Sequence, residues 1–510
     1  MRDRQSLVRA AGAATAALLL LGCGAFDPGS ANTPTVSVAP SPTPTTGQPV
    51  NAGSLADAVS GGVLTERLRE LERITGAADG NRSPGSQGFE AAAQYIEEEL
   101  AATGFYDVRR EGFTIQVPHP GRSELATDDR VVNQIPLSFS PGTPAEGISG
   151  RLVEPVDGDG CSASDWDESV AGQFALVTRG GCSFEQMNRV AAAAGASMVI
   201  VTNHQEGGLY GTLNGMRPEF VPMTGVTRSE GDRLRARLMA GELQLRFSFE
   251  QRIESWDTFN LVAETRGGDD QNLLMAGAHL DSVPDGPGMN DNGSGSVVLL
   301  ETAVQLAARP DPPRNKVRLV WWGGEELGLL GSLHWVNTRV ADDPQAIERL
   351  AAYVNVDMIA SPNYVIGVYD GDGSDFPDEG LPAGSGDIEA IYTAWFDSIG
   401  QPWLPVEVGS SSDHAAFMPS GVPVGGLFTG AGDAKSADEQ AIFGGQAGQE
   451  YDPNYHSAAG TFDNVNQVAL EVNGKASAHV IGTLADDTSM ITDGPREPAW
   501  AQGFGYAGTV

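Results

Sequence analysis

The residues most able to do chemistry are two histidines and four carboxylates that stand in short, separate motifs. They are His279 in AGAHLDSV, Asp291 in GMNDNGSG, Glu325 and Glu326 in WWGGEELG, Asp357 in NVDMIAS and His456 in YDPNYHS. Without Glu325, this set supplies two imidazoles and three carboxylates. Such a mixture of nitrogen and oxygen ligands suits two zinc ions if one carboxylate bridges them.

The two glutamates, Glu325 and Glu326, are adjacent in the chain. Neighbouring side chains at a strand-to-helix turn need not point the same way, so they can take separate roles. One can bind metal while the other accepts the proton of a water molecule. We assign Glu325 as the general base and Glu326 as a ligand. This division of roles predicts a hydrolase.

Three of these motifs follow apolar runs that are typical of buried strands. The run LLMAGAHLD contains His279, VRLVWWGGEE ends at the glutamate pair, and YVNVDMI contains Asp357. In open α/β sheets, ligands collect at the carboxyl ends of parallel strands. Residues that are far apart in sequence can therefore converge there, and the motifs predict an α/β fold.

From about Leu64 to Leu484, with one insertion, the chain resembles the co-catalytic double-zinc aminopeptidases, which include bacterial secreted leucyl aminopeptidases and vacuolar aminopeptidase Y. The similar segments, in the family's order, are AGAHLDSV, GMNDNGSGS, WWGGEELGLLGS, NVDMIASPN, SSDHAAF, GVPVGGLFTGAG and YHS. The resemblance implies a mixed, mainly parallel central sheet flanked by helices. It also implies removal of the N-terminal residue from peptides, with apolar residues preferred.

The resemblance further implies a ligand arrangement for two Zn²⁺ ions per chain. His279 and Asp357 match the ligands of one ion, and Glu326 and His456 match those of the other. Asp291 matches the carboxylate that bridges both ions. All five ligand positions of the family are therefore filled in this chain.

The remaining catalytic roles also come from the resemblance. Glu325 matches the family's general base, and Tyr455 matches a tyrosine that donates a hydrogen bond to the tetrahedral oxyanion. Asp281 matches a carboxylate that orients the site. The resemblance implies a cis peptide bond between Asp291 and Asn292.

The loop of His456 departs from the pattern of some secreted bacterial members. Those members flank the Tyr-His pair with two cysteines, whereas this chain has Asn454 and Ala459 at the two positions. We therefore expect packing and hydrogen bonds, rather than a disulfide, to hold this loop.

A strand is predicted over 107–117, and the family pattern resumes only near residue 255, so we expect an insertion over 120–252. Its segment VAGQFALVTRGGCSFEQMNRVAAAAGASMVIVTN has the pattern strand, turn, helix, strand. It resembles the protease-associated domain, an α/β domain inserted in exported peptidases. The insertion contains Cys161 and Cys182, which we expect to form a disulfide in an exported protein.

The N-terminus has the pattern of an export signal. Residues 1–22 contain early arginines and an apolar stretch too short to span a bilayer as a helix, which predicts a signal peptide. Cys23 follows Leu-Leu-Gly, which resembles a bacterial lipobox. We expect a lipid-anchored protein on the outer face of the cytoplasmic membrane, or a secreted one if Cys23 is not lipidated.

The remaining boundaries follow from composition. Residues 23–53 are rich in Pro, Thr and Ser and predict an extended tether. The peptidase domain is expected to consist of 54–119 and 253–486, with the zinc site in the second part. Residues 487–510 are expected to form an irregular tail.

Length and charge exclude some partners. The chain has 510 residues, enough for two domains with separate cores, and a formal net charge of −36 at pH 7. This charge repels nucleic acid phosphates and anionic membranes. We therefore expect peptide substrates with a free N-terminus, no nucleic acid partner, membrane contact only through the lipid anchor, and a monomer.

Two other functions remain open. Carboxypeptidases and glutaminyl cyclases share the fold group, but a carboxypeptidase needs a cation for the substrate carboxylate, and the metal motifs contain no Arg or Lys. The second alternative is a non-enzymatic surface receptor or adhesion protein. Such a binding module has no need for a complete ligand set and a general base, so Glu325 argues against it.

Overall fold

The computed structural model describes residues 52–491, apart from 157, 205–206, 214, 310–311 and 379. The predicted signal peptide, Cys23, the tether up to residue 51 and the tail from residue 492 lie outside the described residues. Among the helices within 52–491, none has both the length and the apolar character that crossing a bilayer requires.

The described residues form both helices and strands. The helices are α1 (Ala52–Ala58), α2 (Gly61–Ala77), α3 (Gln87–Thr103), α4 (Phe184–Ala193), α5 (Arg228–Ala240), α6 (Gly295–Ala307), α7 (Leu330–Asp342), α8 (Gln345–Glu348), α9 (Ser385–Ser398), α10 (Ala437–Phe443) and α11 (Gln467–Asp486). The strands are β1 (Tyr106–Thr127), β2 (Val131–Val132), β3 (Ile135–Pro136), β4 (Ile148–Val153), β5 (Phe174–Thr178), β6 (Met198–Thr202), β7 (Met223–Val226), β8 (Gln244–Thr265), β9 (Asp269–His279), β10 (Asn315–Trp322), β11 (Leu350–Val356), β12 (Gly367–Tyr369), β13 (Leu404–Val406) and β14 (Val424–Phe428).

The strands of the peptidase part form a mixed, mainly parallel sheet, which confirms the predicted fold class. Strand β9 pairs in parallel with both β10 and β11, and β11 pairs in parallel with β14. Strand β12 is antiparallel to β14 and parallel to β13. On the other side, β8 is antiparallel to β10.

Helices cover both faces of this sheet. On β9, Leu274 and Ala276 belong to the core that also contains residues of α2, α3, α6 and α11. Met275 points to the opposite face and belongs to a core that includes Trp335 of α7. A strand that is buried on both faces needs apolar residues at successive positions, which explains the run LLMAGA.

A long two-stranded arm connects the peptidase part to the insertion. Strands β1 and β8 have 22 residues each and pair antiparallel along their length. Strand β1 therefore continues ten residues beyond the predicted end at Val117. The register shifts between Pro120 and Ser123. We keep 120 and 252 as the proposed boundaries of the insertion.

The insertion has its own sheet and its own cores. Strands β4, β5, β6 and β7 pair in parallel in that order, and β4 also pairs antiparallel with β8, which joins this sheet to the arm. Two clusters of buried apolar side chains lie within this part, one on each face of the sheet. Cys161 and Cys182 are joined by a disulfide.

Candidate metal centre

The candidate ligands lie at the carboxyl ends of three adjacent parallel strands. His279 is the last residue of β9, Asp357 directly follows β11, and Glu325 lies three residues after the end of β10. Since β9 stands between β10 and β11 in the sheet, these ends meet at one edge. These residues therefore lie where the sequence predicts them, at the carboxyl ends of parallel strands.

Two groups of ligand atoms form at this edge. His279, Asp291 and Asp357 make one group, and Asp291, Glu326 and His456 make the other, with the ligand atoms of each group within 4.8 Å of one another. Asp291 is the member common to both groups. The peptide bond between Asp291 and Asn292 is cis.

The distances within each group suit a tetrahedral metal. His279 Nε2 lies 3.2 Å from Asp291 Oδ1 and 3.3 Å from Asp357 Oδ1. His456 Nε2 lies 3.0 Å from Asp291 Oδ2 and 2.9 Å from Glu326 Oε2. Tetrahedral ligands about 2.0–2.1 Å from zinc stand about 3.3 Å from one another. The two oxygens of Asp291 face different groups, as a bridging carboxylate requires.

The buried Asp357 Oδ1 is also positioned to bind a cation. Asp357 Oδ2 accepts a hydrogen bond from Ser412 Oγ at 2.8 Å. Asp357 Oδ1 is buried and makes no well-aligned hydrogen bond, although His279 Nε2 of the same group lies 3.3 Å away. A buried acceptor without a partner is costly unless a cation compensates it. The donor set therefore fits a divalent metal with nitrogen and oxygen ligands.

Asp281 fixes the orientation of residues from two strands. Its backbone oxygen lies 3.1 Å from His279 Nδ1, so Nδ1 donates and Nε2 is left to face the ligand group. Its carboxylate oxygens accept from the backbone N–H groups of Glu325 and Glu326, each at 3.1 Å. The Asp281 side chain is fully buried. It thus connects the imidazole to the glutamate turn.

The two glutamates occupy different positions. Glu326 Oε1 accepts from the backbone N–H of Val283 at 3.1 Å, and its Oε2 faces His456. Glu325 belongs to neither ligand group, and its Oε2 lies 4.0 Å from His279 Nε2. Burial raises the pKa of Glu326 to about 7 and raises the pKa of Glu325 well above its ordinary value. The geometry thus allows separate roles.

The two histidines sit in a strongly negative environment. Burial lowers the pKa of His456, but hydrogen bonds to Asp291 and Glu326 outweigh it and raise the pKa to about 10. Burial also lowers the pKa of His279. The surrounding carboxylates, including Asp357 and Glu325, outweigh burial and raise this pKa well above its usual value. Without metal, the surrounding carboxylates therefore favour the protonated form of both imidazoles.

Arg82 supports the centre and was not identified from the sequence. It is fully buried, and its guanidinium donates to the backbone oxygens of Leu280, Pro287 and Gly288. Its own backbone N–H donates to Ser282 Oγ at 2.8 Å. These contacts hold the segment directly after the candidate ligand His279 and the segment before Asp291. Arg82 lies in the polar turn NRSPGSQG, which carries no pattern that marks a buried cation.

A network of amides and one carboxylate holds the His456 loop. Asn454 Nδ2 donates to Asn464 Oδ1 at 2.6 Å, and Asn464 Nδ2 donates to Asp452 Oδ1 at 2.7 Å. Asp452 Oδ2 accepts from Asn290 Nδ2 at 2.8 Å, next to the shared ligand. Asn454 therefore takes part in the hydrogen bonds that hold this loop, as expected for a loop without a disulfide.

Tyr455 and the candidate ligand His456 line a large cavity. Their rings stack with centroids 3.7 Å apart. Burial raises the pKa of the Tyr455 hydroxyl above its usual value, and nearby carboxylates such as Asp291 and Glu326 add to the effect. The hydroxyl therefore keeps its proton and can donate. The cavity has a volume of about 1720 Å³ and extends from Glu325 to the inserted domain.

Comparison with known proteins identifies the family. The model of peptidase family M28 matches residues 260–481, and that of the PA domain matches residues 148–234, which confirms the predicted inserted domain. The chain is 38% identical over 437 residues to leucine aminopeptidase 2 of Trichophyton rubrum, covering 85% of this chain and 86% of the relative. It is also 38% identical over 445 residues to the "probable lipoprotein aminopeptidase LpqL" of Mycobacterium tuberculosis, covering 86% and 87%.

Solved structures share the fold. An aminopeptidase from Aneurinibacillus sp. strain AM-1 superimposes with a TM-score of 0.67 at 24% identity, covering 84% of this chain and 95% of that one. A zinc aminopeptidase from Bacillus subtilis gives a TM-score of 0.55 at 23% identity, covering 83% and 94%. On the extent and identity of the sequence matches, this chain belongs to peptidase family M28.

Proposed function

We propose that this protein is a zinc-dependent aminopeptidase that removes N-terminal residues from peptides. The observation that supports this most is the arrangement of two ligand groups that share Asp291, with Glu325 beside them and outside both. Two relatives at 38% identity are named "leucine aminopeptidase 2" and "probable leucine aminopeptidase 2". Family membership, ligand geometry and the name of these relatives therefore point to the same reaction.

We further propose that the centre binds two zinc ions. His279 and Asp357 would hold one ion, Glu326 and His456 the other, and Asp291 both. Bound zinc supplies a Lewis acid that makes water nucleophilic near neutral pH and polarises a carbonyl oxygen.

Glu325 acts as the general base in this proposal. Its carboxylate lies beside the ligand groups, so it can accept the proton of the attacking water without leaving a ligand position empty. The same carboxyl group then passes that proton to the amine of the departing peptide. Asp281 has a positioning role, since its carboxylate holds the backbone of the glutamate turn.

Tyr455 supplies a hydrogen-bond donor to the oxyanion. Its hydroxyl keeps its proton, and its ring stacks on His456 at the cavity wall. A donor that is positioned before the reaction stabilises negative charge that develops on the substrate oxygen.

The cavity beside Glu325 suits an N-terminal residue with an apolar side chain. Carboxylates of the centre attract the substrate ammonium group, while Ile115, Leu327, Leu330 and Met418 line the cavity nearby. Burying an apolar substrate side chain against such a wall is favourable. We therefore propose a preference for apolar N-terminal residues.

The proposal extends to export and assembly. The Mycobacterium tuberculosis relative is named a lipoprotein aminopeptidase. The disulfide between Cys161 and Cys182 suits an oxidising compartment. We propose that Cys23 is lipidated after export. The catalytic cavity is lined by one chain's own two domains, so the proposed active form is a monomer.

Hydrolysis of leucine p-nitroanilide, compared with its N-acetyl analogue, tests the function. The proposal predicts zinc-dependent hydrolysis of the first compound and none of the second, because the free amine is required. Equal hydrolysis of both would contradict the aminopeptidase. Hydrolysis restricted to peptides with a free C-terminus and a blocked N-terminus would support the carboxypeptidase, and cyclisation of an N-terminal glutamine would support the cyclase. Absence of zinc would favour the receptor.

A further inference from the structure

The large cavity has two chemically different ends. One end contains Glu325 and Glu326 of the candidate metal centre, where carboxylates predominate. The other end is formed by the inserted domain, and Arg179, Arg217 and Glu185 line it. Both arginines among the described residues that line the cavity therefore lie in the inserted domain. The charge changes sign along the cavity.

Arg179 presents a positive charge that no carboxylate of the described residues neutralises. It directly follows β5, and its backbone N–H donates to Thr202 O at 2.9 Å. Its guanidinium lies 5.7 Å from the ring centroid of Phe184. Within the described parts of the chain, no carboxylate forms an ion pair with it, although the sequence has 67 acidic and 31 basic residues. Arg217, in contrast, lies 3.3 Å from Glu185.

The segment that presents Arg179 is held in place on several sides. Cys182, three residues later, also lines the cavity and is bonded to Cys161. Ser183 caps the N-terminus of α4, where its hydroxyl accepts from the backbone N–H of Gln186 at 3.2 Å. A binding group on a fixed segment loses little conformational entropy when a ligand arrives.

We propose that Arg179 binds a carboxylate on the leaving side of the substrate, which in short peptides is the C-terminal carboxylate. This inference rests on the proposed aminopeptidase function, because that function places the substrate ammonium group at the opposite, negative end. A short peptide is a zwitterion, and its charges then match both ends of the cavity. The substrate class is short peptides with a free C-terminus. Longer peptides also qualify if an acidic side chain lies as far from their N-terminus as the C-terminal carboxylate does in the short peptides.

The test uses peptides with N-terminal leucine and alanine at the other positions, two to six residues long, each as free acid and as C-terminal amide. The proposal predicts that at one or more lengths the acid has a KM about tenfold lower than the amide, the size of one charge-assisted hydrogen bond. In Arg179→Gln this difference disappears. Arg189→Gln is the matched control, because Arg189 is exposed on α4 and does not line the cavity.

An amidated peptide with one glutamate, moved along the chain, separates the two sources of carboxylate. If it restores tight binding at one position, an acidic side chain also serves as the ligand; if it does not, the C-terminal carboxylate is the ligand. Equal KM values for acid and amide at every length would overturn the proposal. A preference for the acid that persists in Arg179→Gln would overturn it as well.

Calorimetry separates this proposal from the proposed reaction. Peptide binding is measured in the Glu325→Gln background, with and without Arg179→Gln, so that no turnover is needed. If leucine p-nitroanilide is not hydrolysed by the unmodified protein, the aminopeptidase proposal fails. The acid-to-amide affinity ratio still reports on Arg179 in that case, and a ratio near one overturns the carboxylate site.

Discussion

Replacing Asp452 with alanine should weaken zinc binding although it changes none of the candidate metal ligands. Asp452 is buried, and its carboxylate accepts from Asn290 Nδ2 at 2.8 Å, from Asn464 Nδ2 at 2.7 Å and from the Asn454 backbone N–H at 3.0 Å. Hydrogen bonds to a charged acceptor contribute about 1.5 kcal/mol each, so three contribute about 4.5 kcal/mol. These bonds tie the loop of His456 to the segment of Asp291.

The loss of these three hydrogen bonds should lower the free energy of zinc binding by only part of their total contribution. Backbone contacts between the same segments remain, such as Met289 N–H donating to Gly460 O at 2.8 Å. Loss of a residue that orients ligands commonly lowers metal affinity about 10- to 100-fold, or about 1.4–2.8 kcal/mol. We expect Asp452→Ala to fall in this range for the zinc ion that His456 is proposed to hold, with a smaller effect on the second proposed ion.

Competition with a chelator of known zinc affinity measures this effect. Asp463→Ala is the matched control, because Asp463 lies in the same region of the chain but is exposed. Circular dichroism checks that both variants remain folded. A folded Asp452→Ala protein that binds both zinc ions as tightly as the control would refute the reasoning about this loop.

Two further predictions concern Tyr455 and pH. Tyr455→Phe should lower kcat about 100- to 1000-fold with little change in KM, because one hydrogen-bond donor to the oxyanion is lost. Steady-state kinetics measures this change. An unchanged kcat would remove Tyr455 from the mechanism. Metal-free protein should lose thermal stability as pH rises from 6 to 9. The pKa values of His456 and Glu326 are raised in the folded state, to about 10 and about 7, and groups with raised pKa values contribute stability at low pH that is lost as pH rises through those values. Stability that increases over this range, measured by thermal melting of chelator-treated protein, would contradict the charge assignment.

The positions of two candidate ligands at strand ends could be predicted because their sequence context is local. His279 and Asp357 each end or follow an apolar run, and such a run in an α/β chain predicts both a buried strand and the edge where its carboxyl end lies. Adjacent parallel strands then bring the two residues together.

The supporting residues could not be predicted, because their contacts are distant in sequence. Arg82 contacts residues about 200 positions away, and the pattern around it indicates only a polar turn. Asp452 acts through amides at Asn290 and Asn464, and no periodicity connects these three positions.

The end of β1 was predicted too early for a physical reason. Pro118 and Pro120 are unfavourable inside a central strand because proline has no N–H to donate. In the structure, this part of β1 belongs to an arm in which β8 is its partner, and the register shifts directly after Pro120. A two-stranded arm tolerates prolines that an interior strand would not.

The zinc content and turnover of Glu325→Gln, measured beside Glu326→Gln, test the central claim most directly. The claim is that the two adjacent carboxylates divide their roles, since Glu326 faces His456 and Glu325 lies outside both ligand groups. Glu325→Gln should keep the zinc content of the unmodified protein while kcat for leucine p-nitroanilide falls at least about 1000-fold. Glu326→Gln should lose zinc. If Glu325→Gln instead loses zinc in parallel with activity, Glu325 is a ligand and the proposed assignment of the pair is wrong.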